Sequence, residues 1–244
     1  MNSLFPQTPR FPDKKAENDN VVLFNQRGPE RPKGFSPPPM LNLPTMTKIM
    51  ALSLIMVHLV LEGMGFFFGS QIQTICIIFG GFIPASWTGG HPFEWWTPIT
   101  LISYNFLHGG WFHLIMNVLM IVTFGSGVER WIGPKRFLQI LIGSSLIAAA
   151  THLAFAPTSQ EIVVGASGGI SGLFGAMLVH LQRSNGFRQH KTSLVPTVLV
   201  WIAITALFGY LGAPDGSSVA WVAHIGGFLG GIGLTLMFLK SPQA

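Results

Sequence analysis

Long runs of apolar residues alternate with short polar connections along most of this chain. Each run is roughly 20 residues long, the length that a hydrocarbon core of about 30 Å demands of a helix. Only helices satisfy every backbone hydrogen bond at that length in lipid. We therefore predict an all-α membrane protein with six spans, at 48–69, 112–129, 136–155, 163–183, 194–212 and 219–239.

The stretch from Gln71 to Gly110 does not follow this pattern. Its apolar run from Ile75 to Ala85 is too short to span a bilayer and is interrupted by glycine and proline. Tryptophan, which prefers the headgroup level of a membrane, recurs in the rest of the stretch, at Trp87, Trp95 and Trp96. We expect a long outer loop that lies along the membrane between the first two spans.

Residues 1–47 differ in composition from the rest, because they hold nine of the 17 prolines and few apolar residues. Such a segment cannot bury enough apolar surface to offset its ordering entropy. It also lacks the apolar core of a signal peptide. We predict a disordered, proline-rich cytoplasmic tail at 1–47, followed by a six-helix domain at 48–240.

The placement of charge fixes the expected topology. Charged residues make up only 9% of the chain, against about 25% in ordinary soluble domains. With six spans, every Lys and Arg lies on one side, and the loops at 70–111, 156–162 and 213–218 contain none. Basic residues stay cytoplasmic, so both termini are expected in the cytoplasm. A seventh span would place some of the basic residues on the opposite side of the membrane from the others. The basic residues are also dispersed between apolar runs, which disfavours nucleic-acid binding. Cys76 is the only cysteine, which excludes an internal disulfide.

Two polar residues on different predicted helices are candidates for chemistry. Ser167, flanked by Gly165 and Gly168, and His224, three residues before Gly227, each lie about five residues into a span that begins on the outer side. A serine hydroxyl needs an adjacent base to act as a nucleophile, and a neutral imidazole suits that role near pH 7. Taken alone, Ser167 is more often a small helix-packing residue, and His224 is more often a structural histidine that bonds a neighbouring helix.

Stripes of small residues predict that the two helices pack closely. Gly168, Gly172 and Ala176 repeat every four residues on the fourth span, and Ala223, Gly227 and Gly231 do so on the sixth. Small residues allow membrane helices to approach each other. We therefore expect Ser167 to meet His224, as nucleophile and general base.

His113 and Asn117 are four residues apart and project from one face of the second predicted helix. Their side-chain N–H groups form a candidate oxyanion site, to which the backbone N–H groups around Gly165-Ala166-Ser167 can add further donors. An interhelical hydrogen-bond pair is the alternative. Glu161 and Asp215 precede their helices and are expected to act on the helix dipoles rather than as a third catalytic residue. Glu62 and His58, also four residues apart, are expected to pair.

These motifs together resemble the rhomboid family of intramembrane serine proteases over about residues 48–240. The resemblance rests on His108–Asn117, Gly165–Gly168 and Ala223–Gly227, in that order on the second, fourth and sixth predicted spans. It implies a Ser167–His224 dyad, an oxyanion site of His113, Asn117 and the Ser167 N–H, and a six-helix bundle with a large outer loop. The resemblance implies no metal or cofactor. It also implies that the substrates are single-pass membrane proteins. The chain has Ser171 where the family often has an aromatic residue, and Trp95-Trp96-Thr97 where it often has Trp-Arg.

Two other functions compete with a protease. A non-catalytic rhomboid-like protein that binds membrane clients usually lacks the serine or the histidine, whereas this chain has both. A small transporter is disfavoured because the two halves of the chain do not resemble each other. The short chain, with no targeting segment apparent, favours the plasma membrane of a bacterium.

Overall fold

The computed structural model describes residues 42–184, 195–211 and 220–240. Within these ranges the regular elements are helices, and the β pairing found there is one isolated antiparallel bridge between Phe82 and Val163. The predicted all-helical class is therefore confirmed for this part of the chain. The helices are α1 (Thr45–Phe68), α2 (Ser70–Gly80), α3 (Thr100–Ser103), α4 (Trp111–Met120), α5 (Ser126–Phe155), α6 (Ser167–Arg183), α7 (Val195–Leu211) and α8 (Trp221–Lys240).

Three helical stretches among the described residues are long and apolar enough to cross a membrane: Thr45–Phe68, Trp111–Phe155 and Trp221–Lys240. The second covers 45 residues, because the π-helical segment Ile121–Gly125 joins α4 to α5. Its backbone is broken at Gly133, whose φ is 83°, just before Pro134. The predicted spans at 112–129 and 136–155 lie on either side of this break. The shorter helices α6 and α7 occupy the remaining two predicted spans, so the number of crossings stays a prediction.

The segment predicted as one long loop between the first two spans contains helical structure. It holds α2, α3 and short 3₁₀ turns at Pro84–Trp87, Thr97–Ile99 and Tyr104–Phe106. Residues 70–79 contain neither glycine nor proline, so a helix forms there, and it stops at Gly80 and Gly81. At 11 residues, α2 remains too short to span. The tail before residue 42, the basic residues Arg188 and Lys191 and the loop residue Asp215 lie outside the described residues.

An apolar core joins α1, α4, α5 and α6. Fully buried side chains from all four helices meet in it, among them Leu54, Leu114, Phe137, Ile140 and Leu173. Large apolar side chains also remain exposed on the outer faces of the helices, including Leu52, Met56, Leu119 and Leu199. A water-soluble domain rarely exposes so much contiguous apolar surface, whereas lipid covers such faces in a membrane protein.

A buried carboxylate holds the start of α1. Glu129, which is 6% exposed, accepts hydrogen bonds from the Met46 N–H at 3.0 Å and the Thr47 N–H at 2.7 Å. The Thr47 hydroxyl donates a third, at 2.8 Å. The first N–H groups of a helix lack partners inside the helix, and a negative charge is favoured at that end. Glu129 therefore fixes α1 to the first turns of α5.

The Glu129→Gln substitution should lower the stability of the folded protein. Glutamine offers one acceptor oxygen and places an N–H₂ group against donors, so at least one charge-assisted hydrogen bond is lost, at about 1.5–3 kcal/mol. Unfolding in detergent, followed by tryptophan fluorescence, should show a lower midpoint than for Glu94→Gln, which changes an exposed carboxylate. Equal midpoints for the two variants would show that the contact does not stabilise α1.

Candidate active site

The outer segment between α2 and α4 positions the chain that enters α6. Phe82 and Val163 exchange backbone hydrogen bonds, at 3.0 Å from the Phe82 N–H and 2.8 Å from the Val163 N–H. The Gly165 N–H donates to the carbonyl oxygen of Tyr104 at 2.8 Å. The Tyr104 hydroxyl in turn donates to the carbonyl oxygen of Ser145 on α5 at 2.8 Å. Burial raises the pKa of this hydroxyl, so it stays protonated and keeps its donor role.

Ser167 is the first residue of α6, whereas the sequence pattern placed it about five residues inside a helix. The difference arises at Gly165, whose φ of 112° is disfavoured for other residues and incompatible with a right-handed helix. The first backbone hydrogen bond of the helix runs from the Ile170 N–H to the Ala166 carbonyl oxygen. The N–H groups of Ser167 and the next two residues come before this first bond and have no acceptor within the helix. Such N–H groups can bind an anion.

Ser167 and His224 lie in direct contact. A hydrogen bond of 2.7 Å joins Ser167 Oγ to His224 Nε2, although the residues are 57 positions apart in sequence. Both side chains are partly buried, so a reactant can still reach them. His224 is the fourth residue of α8, close to its predicted place in the last span. The serine hydroxyl and the imidazole thus have the separation that proton transfer between them requires.

Glycines on α6 and α8 bring the backbones of these helices together. A Cβ atom added at Gly227 would overlap the carbonyl oxygen of Gly168, and one added at Gly231 would overlap that of Gly172. A Cβ on Gly175 would lie 2.6 Å from the carbonyl oxygen of Phe228. The stripes of small residues predicted on α6 and α8 therefore face each other. The Ser167–His224 contact depends on this packing, because it lies at one end of the glycine interface.

His113 lies against the turn before Ser167, whereas Asn117 contacts the backbone of His113. A Cβ on Gly165 would be 2.6 Å from His113 Nε2 and 3.7 Å from Ser167 Oγ, so the ring lies against the turn that precedes the serine. Asn117 is buried, and its amide donates to the His113 carbonyl oxygen at 2.8 Å. His113 Nε2 is therefore close to the turn that carries Ser167, while Asn117 lies one helical turn further along α4.

The remaining polar residues singled out from the sequence lie at the edges of this site. His58 Nε2 and Glu62 Oε1 are 3.7 Å apart on α1, as expected for a pair. Glu161 is exposed in the segment before α6. His108 was not predicted as a site residue, yet the centroid of its ring lies 5.1 Å from that of His113. Among the residues that the structure describes, no group of three or more His, Cys, Asp or Glu could hold a metal ion.

A family model described as the Rhomboid domain matches residues 92–241, which include Ser167, His224, His113 and Asn117. The chain belongs to the rhomboid family. With the apolar helices described above, this membership makes it an integral, multi-pass membrane protein. The helices α1 and α2 precede the matched residues.

Relatives from this family occur in plants and bacteria. The chain is 33% identical over 147 residues to RHOMBOID-like protein 5 of Arabidopsis thaliana, which is 59% of this chain and 45% of that protein. It is 32% identical over 151 residues to YdcA of Bacillus subtilis, covering 62% of this chain and 70% of YdcA. It is 33% identical over 138 residues to the rhomboid protease GluP of Bacillus subtilis, covering 57% of this chain but 25% of GluP.

The Gly227→Ala substitution should separate α6 from α8 and weaken the site. The added methyl group would meet the backbone of Gly168, which cannot move as a side chain can, and overpacking of this kind costs about 1–3 kcal/mol. We expect a lower unfolding midpoint and weaker labelling of the protein by a fluorophosphonate, a reagent that modifies activated serines.

Gly233→Ala is the matched control on the same helix, because a Cβ there would find no atom within 4 Å. It should retain both stability and labelling. If Gly227→Ala behaves like Gly233→Ala, close helix packing does not hold the serine and the histidine together.

Proposed function

We propose that this protein is an intramembrane serine endopeptidase that uses Ser167 as nucleophile and His224 as general base. The hydrogen bond of 2.7 Å between Ser167 Oγ and His224 Nε2 is the observation that carries the proposal. A serine becomes a nucleophile when an adjacent base removes its proton. Membership of a family with relatives named as proteases, such as GluP, supports the same reaction.

The proposed reaction proceeds in two steps. Ser167 Oγ attacks the carbonyl carbon of a peptide bond while His224 accepts the hydroxyl proton; the C–N bond then breaks and His224 returns that proton to the leaving amine. A water molecule next attacks the acyl-enzyme and gives one proton to His224. The bond between the acyl carbon and Ser167 Oγ breaks, and His224 protonates the serine again. No metal or organic cofactor takes part in these steps.

Donors on two helices are placed to stabilise the negative oxygen of each intermediate. The backbone N–H of Ser167 at the start of α6 is one, and His113 Nε2, which faces Gly165, is the second. Loss of one such donor typically slows a reaction by about 10²–10³-fold. Asn117 fixes the turn of α4 that carries His113 through its bond to the His113 carbonyl oxygen, and its second amide hydrogen is the third proposed donor.

The substrates that we propose are single-pass membrane proteins, cleaved in or near the bilayer. A substrate helix would enter laterally and unwind so that its backbone reaches Ser167, while water arrives from the outer side. This arrangement assumes the predicted topology, which has six spans and both termini in the cytoplasm. The identity of the membrane, expected to be bacterial, stays a prediction.

A rhomboid-like protein that binds membrane clients without cleaving them is the main alternative. Such a protein needs neither a nucleophile nor a base. A serine and a histidine from separate helices, at hydrogen-bond distance beside a helix N-terminus, favour the protease, because client binding gives no reason for that arrangement.

Substitution of either residue of the dyad should abolish the reaction. In liposomes with a single-pass reporter, the unaltered protein should cleave the reporter and react with a fluorophosphonate. Ser167→Ala and His224→Ala should do neither, because the first removes the nucleophile and the second removes its base.

Ser184→Ala is the matched control, since it removes a hydroxyl at the opposite end of α6 that is bonded to the Leu181 carbonyl oxygen. It should cleave normally. Cleavage that persists in Ser167→Ala would overturn the protease proposal, and an unaltered protein that holds the reporter without cleaving it would favour client binding.

A further inference from the structure

A cavity of about 370 Å³ lies between α6, α7 and α8, toward the end of the bundle opposite Ser167. Most of its wall is apolar and consists of Leu178 and Val179 of α6, Val198 of α7, and Ile232 and Leu236 of α8. The volume falls in the range of about 300–1,000 Å³ that small-molecule sites occupy. Since the three helices belong to a membrane protein, the bilayer is the nearest source of an apolar occupant.

A cluster of aromatic rings lies between this cavity and the proposed active site. The ring of Trp201 on α7 stacks on that of Phe228 on α8, with centroids 4.5 Å apart, and lies 5.8 Å from that of Phe174 on α6. Phe174 and Phe228 each precede a wall residue of their own helix by four positions, which is about one helical turn nearer Ser167. The cavity is therefore a separate site.

The end of the cavity furthest from Ser167 is polar and positively charged. Gln182 and Arg183, the last two residues of α6, line it there, and both are exposed. Lys240, also exposed, ends α8 one turn beyond the wall residue Leu236. Within the part of the chain that the structure describes, no carboxylate pairs with Arg183 or Lys240. The cavity thus combines an apolar wall with positive charge that no described acidic residue neutralises.

A phospholipid with a negatively charged headgroup matches both parts of the cavity. An acyl chain that fills the apolar part gains the van der Waals contacts that an empty gap between helices lacks. The guanidinium group of Arg183 suits a phosphate, because its planar donors can bind two oxygens at once, and the Gln182 amide can donate to the same group. Basic pockets between membrane helices bind anionic headgroups in this way. A zwitterionic lipid, in contrast, brings a positive charge of its own to the basic end.

We propose that this cavity binds one anionic phospholipid, with an acyl chain between α6, α7 and α8 and the phosphate on Arg183, beside Lys240. The bound lipid then fills the gap between α7 and its two neighbours and stabilises their packing. This lipid site lies at the opposite end of α6 from Ser167, so the proposal does not depend on the reaction proposed above.

Native mass spectrometry of the full-length protein in detergent, titrated with phosphatidylglycerol or phosphatidylcholine, tests the headgroup contact. We expect one phosphatidylglycerol to bind at least about tenfold more tightly than phosphatidylcholine. Arg183→Gln should weaken the binding of phosphatidylglycerol by about fivefold, the effect of one basic residue beside an anionic lipid. The binding of phosphatidylcholine should not change.

Lys135→Gln is the matched control, because Lys135 is an exposed basic residue on α5 that does not line the cavity. It should change the affinity for phosphatidylglycerol by less than about twofold. An equal loss in Lys135→Gln and Arg183→Gln would overturn the proposal, since the lipid would then respond to the overall charge of the protein.

Leu236→Trp tests the place of the acyl chain. Leu236 is 42% exposed, so the larger side chain does not disturb the buried core, and the indole takes space that the acyl chain would occupy. We expect the affinity for phosphatidylglycerol to fall by at least about tenfold. Leu229→Trp, at a position on α8 that is 59% exposed and outside the cavity wall, should bind as the unaltered protein does. Equal affinities for the two variants would contradict the placement.

Glycerol 1-phosphate, which has the phosphate but no acyl chain, separates a lipid site from a phosphate site. It should not displace phosphatidylglycerol at equal concentration, and displacement would overturn the proposal. Equal binding of both lipids, or a dimer of the chain that retains no lipid, would do so too. In the dimer, a second copy would cover the cavity.

Thermal unfolding gives a second readout. Phosphatidylglycerol should raise the unfolding midpoint of the unaltered protein, because a ligand that binds only the folded state stabilises it, and the rise should be smaller in Arg183→Gln. An equal rise in both proteins would contradict the role of Arg183. Neither readout requires cleavage, so a protein that fails to cleave contradicts the proposed function and leaves the lipid site intact.

Discussion

The proposed chemistry depends on the close backbone contact between α6 and α8. The carbonyl oxygens of Gly168 and Gly172 lie where side chains on Gly227 and Gly231 would have to be. Because no side chain separates the helices, a serine and a histidine at the same end of the interface can form a hydrogen bond of 2.7 Å. In lipid, where apolar helices gain little from burying apolar surface against one another, such packing is what holds helices together.

A second set of contacts determines where the serine stands along that interface. The backbone before α6 is held by Phe82 and by the carbonyl oxygen of Tyr104, and Tyr104 is tied to α5 through its hydroxyl group. The positive φ at Gly165 then turns the chain into the helix, so that Ser167 occupies the first position. The outer segment thus positions Ser167 at the start of α6. Its own position depends on contacts with α5.

Much of this arrangement could be predicted from the sequence, because it follows from local patterns. The glycine stripes predicted which faces of the fourth and sixth apolar runs would meet, and the spacing of His113 and Asn117 placed them on one face of a helix. The predicted start of the fourth helix was wrong, since Val163, Val164 and Ala166 are apolar and gave no sign that the helix starts after Gly165. The capping of α1 by Glu129 was missed because it joins residues 82 and 83 positions apart. The proximity of the His108 and His113 rings was missed as well, because α4 begins between these two residues.

The position of a covalent adduct tests the central claim most directly. The purified protein would be treated with a fluorophosphonate, digested, and analysed by mass spectrometry to find the modified residue. An activated serine beside an imidazole predicts one adduct, on the peptide that contains Ser167, and no adduct when His224 is replaced by alanine. Modification of a different serine, or an unmodified Ser167 in protein that cleaves the reporter, would contradict the assignment of the Ser167–His224 pair.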